Sequence, residues 1–372
     1  MKKSVLLAGA MLAILLLLAP EGSRLKTTEK TFSVPQIPFN PKTYVCYRAE
    51  TPLKIDGKMT EKAWQNVPWT DDFTDIRGER GPRPRFRTRV KMLWDSTYFY
   101  VAAQLEEPDV WATLKNRDAV IYHDNDFEVF VDPDGDTQDY YEFEMNALNT
   151  VWDLLLTRPY RDGGDAVTDW DIHGLKSAVS VQGSLNRPGD KDRGWTLEIA
   201  FPWKALAECA HKPAPPLPGE QWRVNFSRVE WRTRVEKGKY VKLKNPETGK
   251  PLREDNWVWS PQGLVNMHYP EMWGVVQFSG HKAAGAGDTF RENQDERLKW
   301  ELRQVYYAER TYFLNHRAYS SQPPVRLQSI PGFHFPPAIV AGKDFFVATL
   351  RNRDGSVRWH IREDGRVWSE RE

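Results

Sequence analysis

Cysteine is scarce: Cys46 and Cys209 are the only two in 372 residues. That number rules out a cysteine-based metal spacing or a haem-attachment motif and allows one disulfide at most. Whether the two meet in an oxidising compartment stays open, because sequence alone does not bring them together. An excess of charge of one sign is also missing. The formal net charge is +1 and no basic stripe is present, which argues against a nucleic-acid partner. Long apolar runs are absent after Ala19, so nothing later is expected to cross a bilayer. The one run there is, after Met1-Lys2-Lys3, reads as a secretory signal peptide. With about 16 apolar residues it also reads as a short membrane anchor. No cysteine follows it, as a bacterial lipoprotein would need, and no clear small-x-small cleavage site ends it. Either reading exports the chain, to the periplasm, the cell surface or the outside.

Aromatic residues, by contrast, are plentiful, with 16 Trp. Trp supplies flat stacking surfaces for sugars, although β-rich domains are aromatic-rich in any case. From about residue 46 the chain reads as short segments alternating with period two, separated by turn signals. Examples are Arg89–Ala103 around Asp95-Ser96-Thr97, Trp195–Phe201, Trp222–Trp231 and Trp273–Phe278. The pattern predicts an all-β protein, an antiparallel β-sandwich over 46–280. A slip in the alternation near Ser227 predicts a bulge. Residues 1–20 are the signal or anchor, and the polar, Pro-containing stretch 21–45 is expected to be a linker. Residues 281–372 form a C-terminal extension. In it 281–292 reads as a further linker, an amphipathic helix covers 295–319, and short strands follow. Leu298, Leu302, Val305, Tyr306, Ala308, Tyr312 and Phe313 recur at three and four, which packs the helix on the sandwich.

The most informative stretch is Asp126–Asp132 followed by Tyr140–Ala147. Both alternate, and Pro133-Asp134-Gly135-Asp136 between them makes an antiparallel hairpin. If Asp132 pairs near Tyr140, Glu128 falls opposite Glu144 and Asp126 opposite Asn146. By the same parity Trp152 joins that face. Like charges about 5 Å apart across a sheet are destabilising, so a ligand, a metal or an arginine should relieve them. Arg228 and Arg158 are the candidate counter-charges. The competing reading is a solvated outer face with acids chosen for solubility.

Five motifs in order carry a resemblance: Ile55-Asp56-Gly57 with Ala63-Trp64, Val90–Asp95 with Tyr98–Val101, Asp126–Asp132, Gly194–Trp203 and Trp273-Gly274. Together, over about 50–280, they resemble the family 9 carbohydrate-binding modules. The resemblance implies a β-sandwich of DOMON-like, jelly-roll type. It implies an exported domain that binds sugars, often at the ends of glucan or xylan chains, and is sometimes appended to glycoside hydrolases. It places a sugar-clamping aromatic at Tyr122 and a second near Met267-His268-Tyr269. It puts the family's acid at Glu128, and Glu144 where the family has an arginine. The departures leave Trp152, Trp170 and Trp259 as substitute platforms.

These readings give a ligand set of Tyr122, Asp126, Glu128, Glu144, Asn146, Trp152, Arg228 and Trp259. The expected ligand is a carbohydrate, bound without catalysis in carbohydrate catabolism. Glycoside hydrolysis by Glu128 and Glu144, or a role as accessory to a hydrolase, is an alternative. Another is haem b held by His123 or His268 with Met267, since related sandwiches bind haem. Asp132, Asp134 and Asp136 alternate acids with turn formers, so structural calcium is weighed there against a plain turn, which the misplaced glycine favours.

Overall fold

The computed structural model describes residues 29–283 and 287–372. The signal or anchor segment and residues 21–28 of the expected linker lie outside the described residues. Strands β1 (Thr43–Arg48), β2 (Thr74–Asp75), β3 (Thr88–Trp94) and β4 (Tyr98–Leu105) come first, with helical turn α1 (Lys62–Gln65) after β1. Next are β5 (Asp126–Asp132), β6 (Tyr140–Asn146), β7 (Val151–Leu156), β8 (Ala166–Val167), β9 (Lys176–Gln182) and β10 (Gly194–Pro202). Helical turn α2 (Trp203–Leu206) leads to β11 (Gln221–Glu230), the β12–β13 hairpin (Thr233–Glu236, Lys239–Lys242), β14 (Asp255–Val258) and β15 (Gly274–Lys282). Helix α3 (Gln294–His316) and strands β16 (Ala338–Ala341), β17 (Phe346–Arg351), β18 (Val357–Arg362) and β19 (Val367–Arg371) complete the chain.

One layer runs β8-β7-β6-β5-β11-β15 and the other β3-β4-β10-β9. Strand β1 joins them by pairing parallel with β15 through its first half and with β3 through its last two residues. All other pairings are antiparallel. The alternation explains the layering. Phe127, Val129, Val131, Phe143, Met145, Val224 and Phe226 from one layer meet Val90, Met92, Val101, Leu197, Ile199 and Phe201 from the other in a single apolar core. Phe143 and Phe201 touch edge to face across the interface, 5.4 Å between ring centres. Cys46 and Cys209 are buried, unpaired thiols in that core.

Three expectations need correction. Residues 29–42 are not a free linker. Phe39 stacks on Trp300 at 4.6 Å and Phe32 packs edge-on to Tyr306 at 5.7 Å, so this strap seals one side of α3. The described part of 281–292 also folds back: Gln277 in the middle of β15 donates to Thr289 O and accepts from Arg291 N. Finally, β11 has no bulge. Its register is continuous from Arg223↔Asp132 to Ser227↔Glu128 and on to Glu230↔Asp255. The apparent slip arises because a charged residue, Arg228, points inward where an apolar one was expected.

The C-terminal extension packs against the sandwich. Leu298, Leu302, Val305, Tyr306 and Tyr307 of α3 share a core with Phe346, Ala348, Leu350, Ile361 and Val367 of the four-stranded sheet and with Tyr269 and Met272 of the sandwich. Asn293 caps α3 by accepting from Asp295 N, and Arg317, in the left-handed region at φ 56°, ends it three residues earlier than expected. Tyr312 and Phe313 remain half-exposed. No described helix is long and apolar enough to cross a membrane.

Candidate functional site

The β5–β6 turn sets the register of the site. Asp132 accepts from Gly135 N (2.9 Å) and Thr137 N (3.0 Å), and Gly135 takes the left-handed conformation the turn needs. Glu128 then pairs with Glu144, Asp126 with Asn146 and Phe130 with Glu142. On either side Ser227 pairs with Glu128, and Trp152 with Glu144. The outer face therefore carries two cross-strand rows, Ser227–Glu128–Glu144–Trp152 and Asn225–Phe130–Glu142–Leu154.

This face is not the solvated exterior of the competing reading. Glu128, Glu142 and Glu144 keep only 5%, 6% and 2% of their surface, and Asp126 keeps none. The three glutamates floor a hollow of about 430 Å³. Tyr122 and Tyr160 stand on its walls, 41% and 47% exposed. Trp152, Val229, Glu254, Asn256, Met267 and His268 complete the lining.

Each wall is anchored. The turn Ile121–His123 carries Tyr122, whose N–H donates to Glu144 Oε2 (2.9 Å), while Trp231 Nε1 donates to Tyr122 O. Tyr160 begins a one-turn helix and meets the His268 ring edge-on at 4.5 Å. His268 Nδ1 is 2.9 Å from the Tyr140 hydroxyl. Burial and the nearby Arg161 push its pKa down to about 3, so the ring is neutral at neutral pH. Arg161, next to Tyr160, forks onto Glu271 (2.8 and 2.9 Å), donates to His268 O and lies over the Tyr269 ring. From α3, Arg310 donates to Arg161 O, and Tyr306 and Arg310 hold Asp162. The C-terminal extension thus fixes the wall that carries Tyr160 and His268.

The electrostatics of the floor are unusual. Among the described residues no lysine, arginine or histidine nitrogen lies within 4.0 Å of a carboxylate oxygen of Asp126, Glu128, Glu142 or Glu144. Burial pushes the pKa of Glu128 up to about 7. Burial and then the Glu128 charge push Asp126, Glu142 and Glu144 well above the usual carboxylate range. A base that feels this charge is Lys242, near Asp124, Glu254 and Asp126. It rests over the Trp231 ring, and burial lowers it to about 8. The arrangement suits a ligand that brings hydroxyl donors or positive charge to the floor and a flat face to the tyrosines.

Of the residues read from the sequence, Tyr122, Glu128, Glu144 and Trp152 come together here. Asp126 lies directly beneath the floor. Asn146 is spent: its amide donates to Leu114 O and Asp124 and accepts from Leu148 N and Thr150 N. Arg228 is no counter-charge to Glu128 and Glu144. It points to the inner side, bonded to Glu107, Glu230, Thr88 and Glu106 O. Arg158 points to Asp364 instead, at 3.7 Å. Trp259 is core, packed on Phe226, and Trp170 stacks on Tyr141 away from the hollow. His123 is exposed beside Tyr122, whereas His268 and Met267 line the hollow. Asp132, Asp134 and Asp136 form a self-capped turn. Asp132 uses both oxygens on the turn's N–H groups, Asp136 accepts from Gln138 N and pairs with Arg366 (3.0 Å), and Asp134 accepts from Asp136 N. Their nearest oxygens lie within 4.8 Å of one another, close enough to share an ion, although the turn's own N–H groups and Arg366 already engage the three acids.

Sequence reasoning missed Tyr160, Glu142 and Glu254. By the alternation of β6, Glu142 shares the face of Glu144. Tyr160 sits in an irregular loop and is positioned by α3, about 150 residues away, for which no local signal exists.

Residues 55–217 match the profile described as Carbohydrate family 9 binding domain-like. An endo-1,4-beta-xylanase A of Thermoanaerobacterium saccharolyticum is 30% identical over 156 residues, 42% of this chain and 11% of that protein. The exoglucanase XynX of Acetivibrio thermocellus is 29% identical over 156 residues, 42% of this chain and 12% of that protein. The chain therefore spans about a tenth of the length of the curated relatives it matches. Among solved structures, a family 9 carbohydrate-binding module from Caldicellulosiruptor kristjanssonii has been seen with cellotriose and with glucose. The cellotriose complex is 15% identical with a TM-score of 0.41, covering 66% of this chain and 99% of that one. The glucose complex is likewise 15% identical at 0.41, covering 68% and 100%. The stretch that resembles the carbohydrate family 9 binding domains, residues 55–217, is the one that supplies Tyr122, Glu128, Glu144, Trp152 and Tyr160.

Proposed function

We propose that the protein is an exported, non-catalytic carbohydrate-binding protein that takes the end of a glucan or xylan chain in the Tyr122–Tyr160 hollow. One observation carries the reading: two exposed tyrosines line one hollow floored by buried carboxyl groups that have no basic partner among the described residues. A sugar ring offers flat C–H faces to the tyrosines and hydroxyls to Glu128, Glu142 and Glu144. The acids sit side by side on one sheet face. A glycosidase instead needs two carboxyl groups flanking the scissile bond, so binding without hydrolysis is the simpler use of this site. The names of the curated relatives, a xylanase and an exoglucanase, favour polysaccharide breakdown as the setting. They also support a second reading, an accessory module of a glycoside hydrolase.

Affinity electrophoresis of the full chain through gels containing xylan or soluble β-glucan tests the proposal. The expected result is retardation that Tyr122→Ala, Tyr160→Ala and Glu128→Gln each remove. Equal retardation of all three variants would refute the site. Release of reducing sugar by the wild type, lost in Glu128→Gln, would refute the non-catalytic reading.

A further inference from the structure

The floor of the hollow has a feature that sugar binding alone does not use. One oxygen each of Asp126, Glu128 and Glu144 lie within 4.8 Å of one another, and all three side chains are buried. Asp126 Oδ1 accepts from Val229 N, while its Oδ2 has no hydrogen-bond partner. Glu144 accepts from Tyr122 N through Oε2, and no bond is made to its other oxygen. Beside them Ser227, fully buried, neighbours Glu128 in the same cross-strand row, and its Oγ, turned toward Glu128, has no partner outside the cluster among the described residues. A buried hydroxyl and a buried carboxylate oxygen rarely go without a partner unless something absent from the chain itself meets them. The four side chains of this cluster offer hard oxygens; the Met267 sulfur and the His268 imidazole belong to the wall of the hollow.

We propose that Asp126, Glu128, Glu144 and Ser227 hold a divalent cation of the calcium class at the bottom of the hollow, with its open side turned toward the ligand. Calcium takes six to eight oxygens at about 2.3–2.6 Å in an adaptable shell, so oxygens up to roughly 4.8 Å apart can share one ion. Magnesium, which demands a tighter octahedron and keeps its water, fits this loose set less well. Three carboxylates and a hydroxyl leave the shell incomplete. The remaining positions face the hollow, where two neighbouring sugar hydroxyls would fill them. This last part rests on the sugar-site reading; the cation site does not. The cluster is separate from the Asp132–Asp134–Asp136 turn, whose acids are engaged by the turn's own N–H groups and by Arg366.

Equilibrium dialysis of the full, chelator-stripped chain against radioactive calcium, with no sugar present, tests the cation. The expected result is binding that weakens at least tenfold in Glu144→Gln and in Asp126→Asn and is unchanged in Asp134→Asn. A melting curve of each variant in chelator checks that it is folded. No binding, or equal binding by wild type and folded Glu144→Gln, would overturn the proposal. The affinity gels, run with calcium and with chelator, test the bridging role. Retardation lost in chelator and restored by calcium supports it. Retardation indifferent to chelator overturns the bridge while leaving the sugar site standing. Calcium binding without retardation on any glycan supports the cation and counts against the sugar reading.

Discussion

Two groups of buried carboxylates lie on the outer side of the same sandwich and behave oppositely. Glu271 and Glu296, where α3 meets the sandwich, are each matched to arginine. Glu271 has Arg161 at 2.8 Å and Arg303 at 3.7 Å; Glu296 has Arg223, with Lys299 at 3.4 Å. Despite burial, these partners hold both acids down at about 2. Glu128, Glu142 and Glu144 are buried as deeply as Glu271 and more deeply than Glu296, have no such partner among the described residues, and their pKa values move up. Burying an ion costs several kcal/mol unless a partner offsets it. The paired group fixes the C-terminal extension to the sandwich. The unpaired group is maintained at a cost to stability, and a ligand is the natural reason for it. Compensation, rather than acidity, separates scaffold from site.

The comparison can be broken most forcefully at the paired group. Arg161→Ala leaves Glu271 buried without its fork, and it should destabilise the protein by about 3–5 kcal/mol in urea unfolding. It should also free the Tyr160 wall. A loss under 1 kcal/mol would mean the pair does little.

The pH dependence comes next, and the two groups have opposite signs. Glu271 and Glu296 have folded pKa values depressed to about 2 from an ordinary 4.5. Their stabilisation is present above about pH 4.5 and is lost as pH falls toward 2. Glu128 is raised to about 7 from 4.5, so the folded protein holds a proton that the unfolded chain has released. In chelator its contribution is fully present below pH 4.5 and is lost as pH rises through 7, on the order of 3 kcal/mol. Stability measured from pH 4.5 to 7.5 should fall in the wild type and fall less steeply in Glu128→Gln, the remaining slope coming from Asp126, Glu142 and Glu144. A rise in the wild type that Glu128→Gln removes would reverse the assignment.

Smaller effects sharpen the contrast. Glu144→Gln should leave stability in chelator unchanged or raise it by about 1 kcal/mol, because it replaces an acid whose charged form burial and its neighbours disfavour with a neutral amide. Tyr160→Ala should cost little stability, since the ring is half exposed, yet weaken glycan binding about tenfold through loss of stacking, roughly 1 kcal/mol. Calorimetric unfolding and titration would measure both.

The legible part of the molecule is the part written in short-range pattern. Period-two alternation gave the sandwich, and the turn Asp132–Asp136 gave the Glu128↔Glu144 register. Parity put Trp152 in the same row. What was not legible depends on distant packing. Trp259 and Trp152 look alike in sequence, but one fills the core and the other rims the hollow. Arg228 breaks the apolar pattern because an inward ion cluster with Glu107 and Glu230 receives it. Asn146 resembles a ligand residue until its amide is seen to tie down the β6–β7 turn and the 114 loop. The strap at 29–42 has a linker's composition, yet its few aromatics, Phe32 and Phe39, pin it to α3.

The central claim is that the unpaired carboxylate row receives the ligand. Isothermal titration of the full chain and of Glu128→Gln with xylotetraose and cellotetraose in calcium-containing buffer tests it most directly. The account predicts binding of at least one oligosaccharide by the wild type and at least a tenfold loss in a variant that melts no lower. Binding within twofold of wild type in Glu128→Gln, or no binding of either sugar by the wild type, would contradict it.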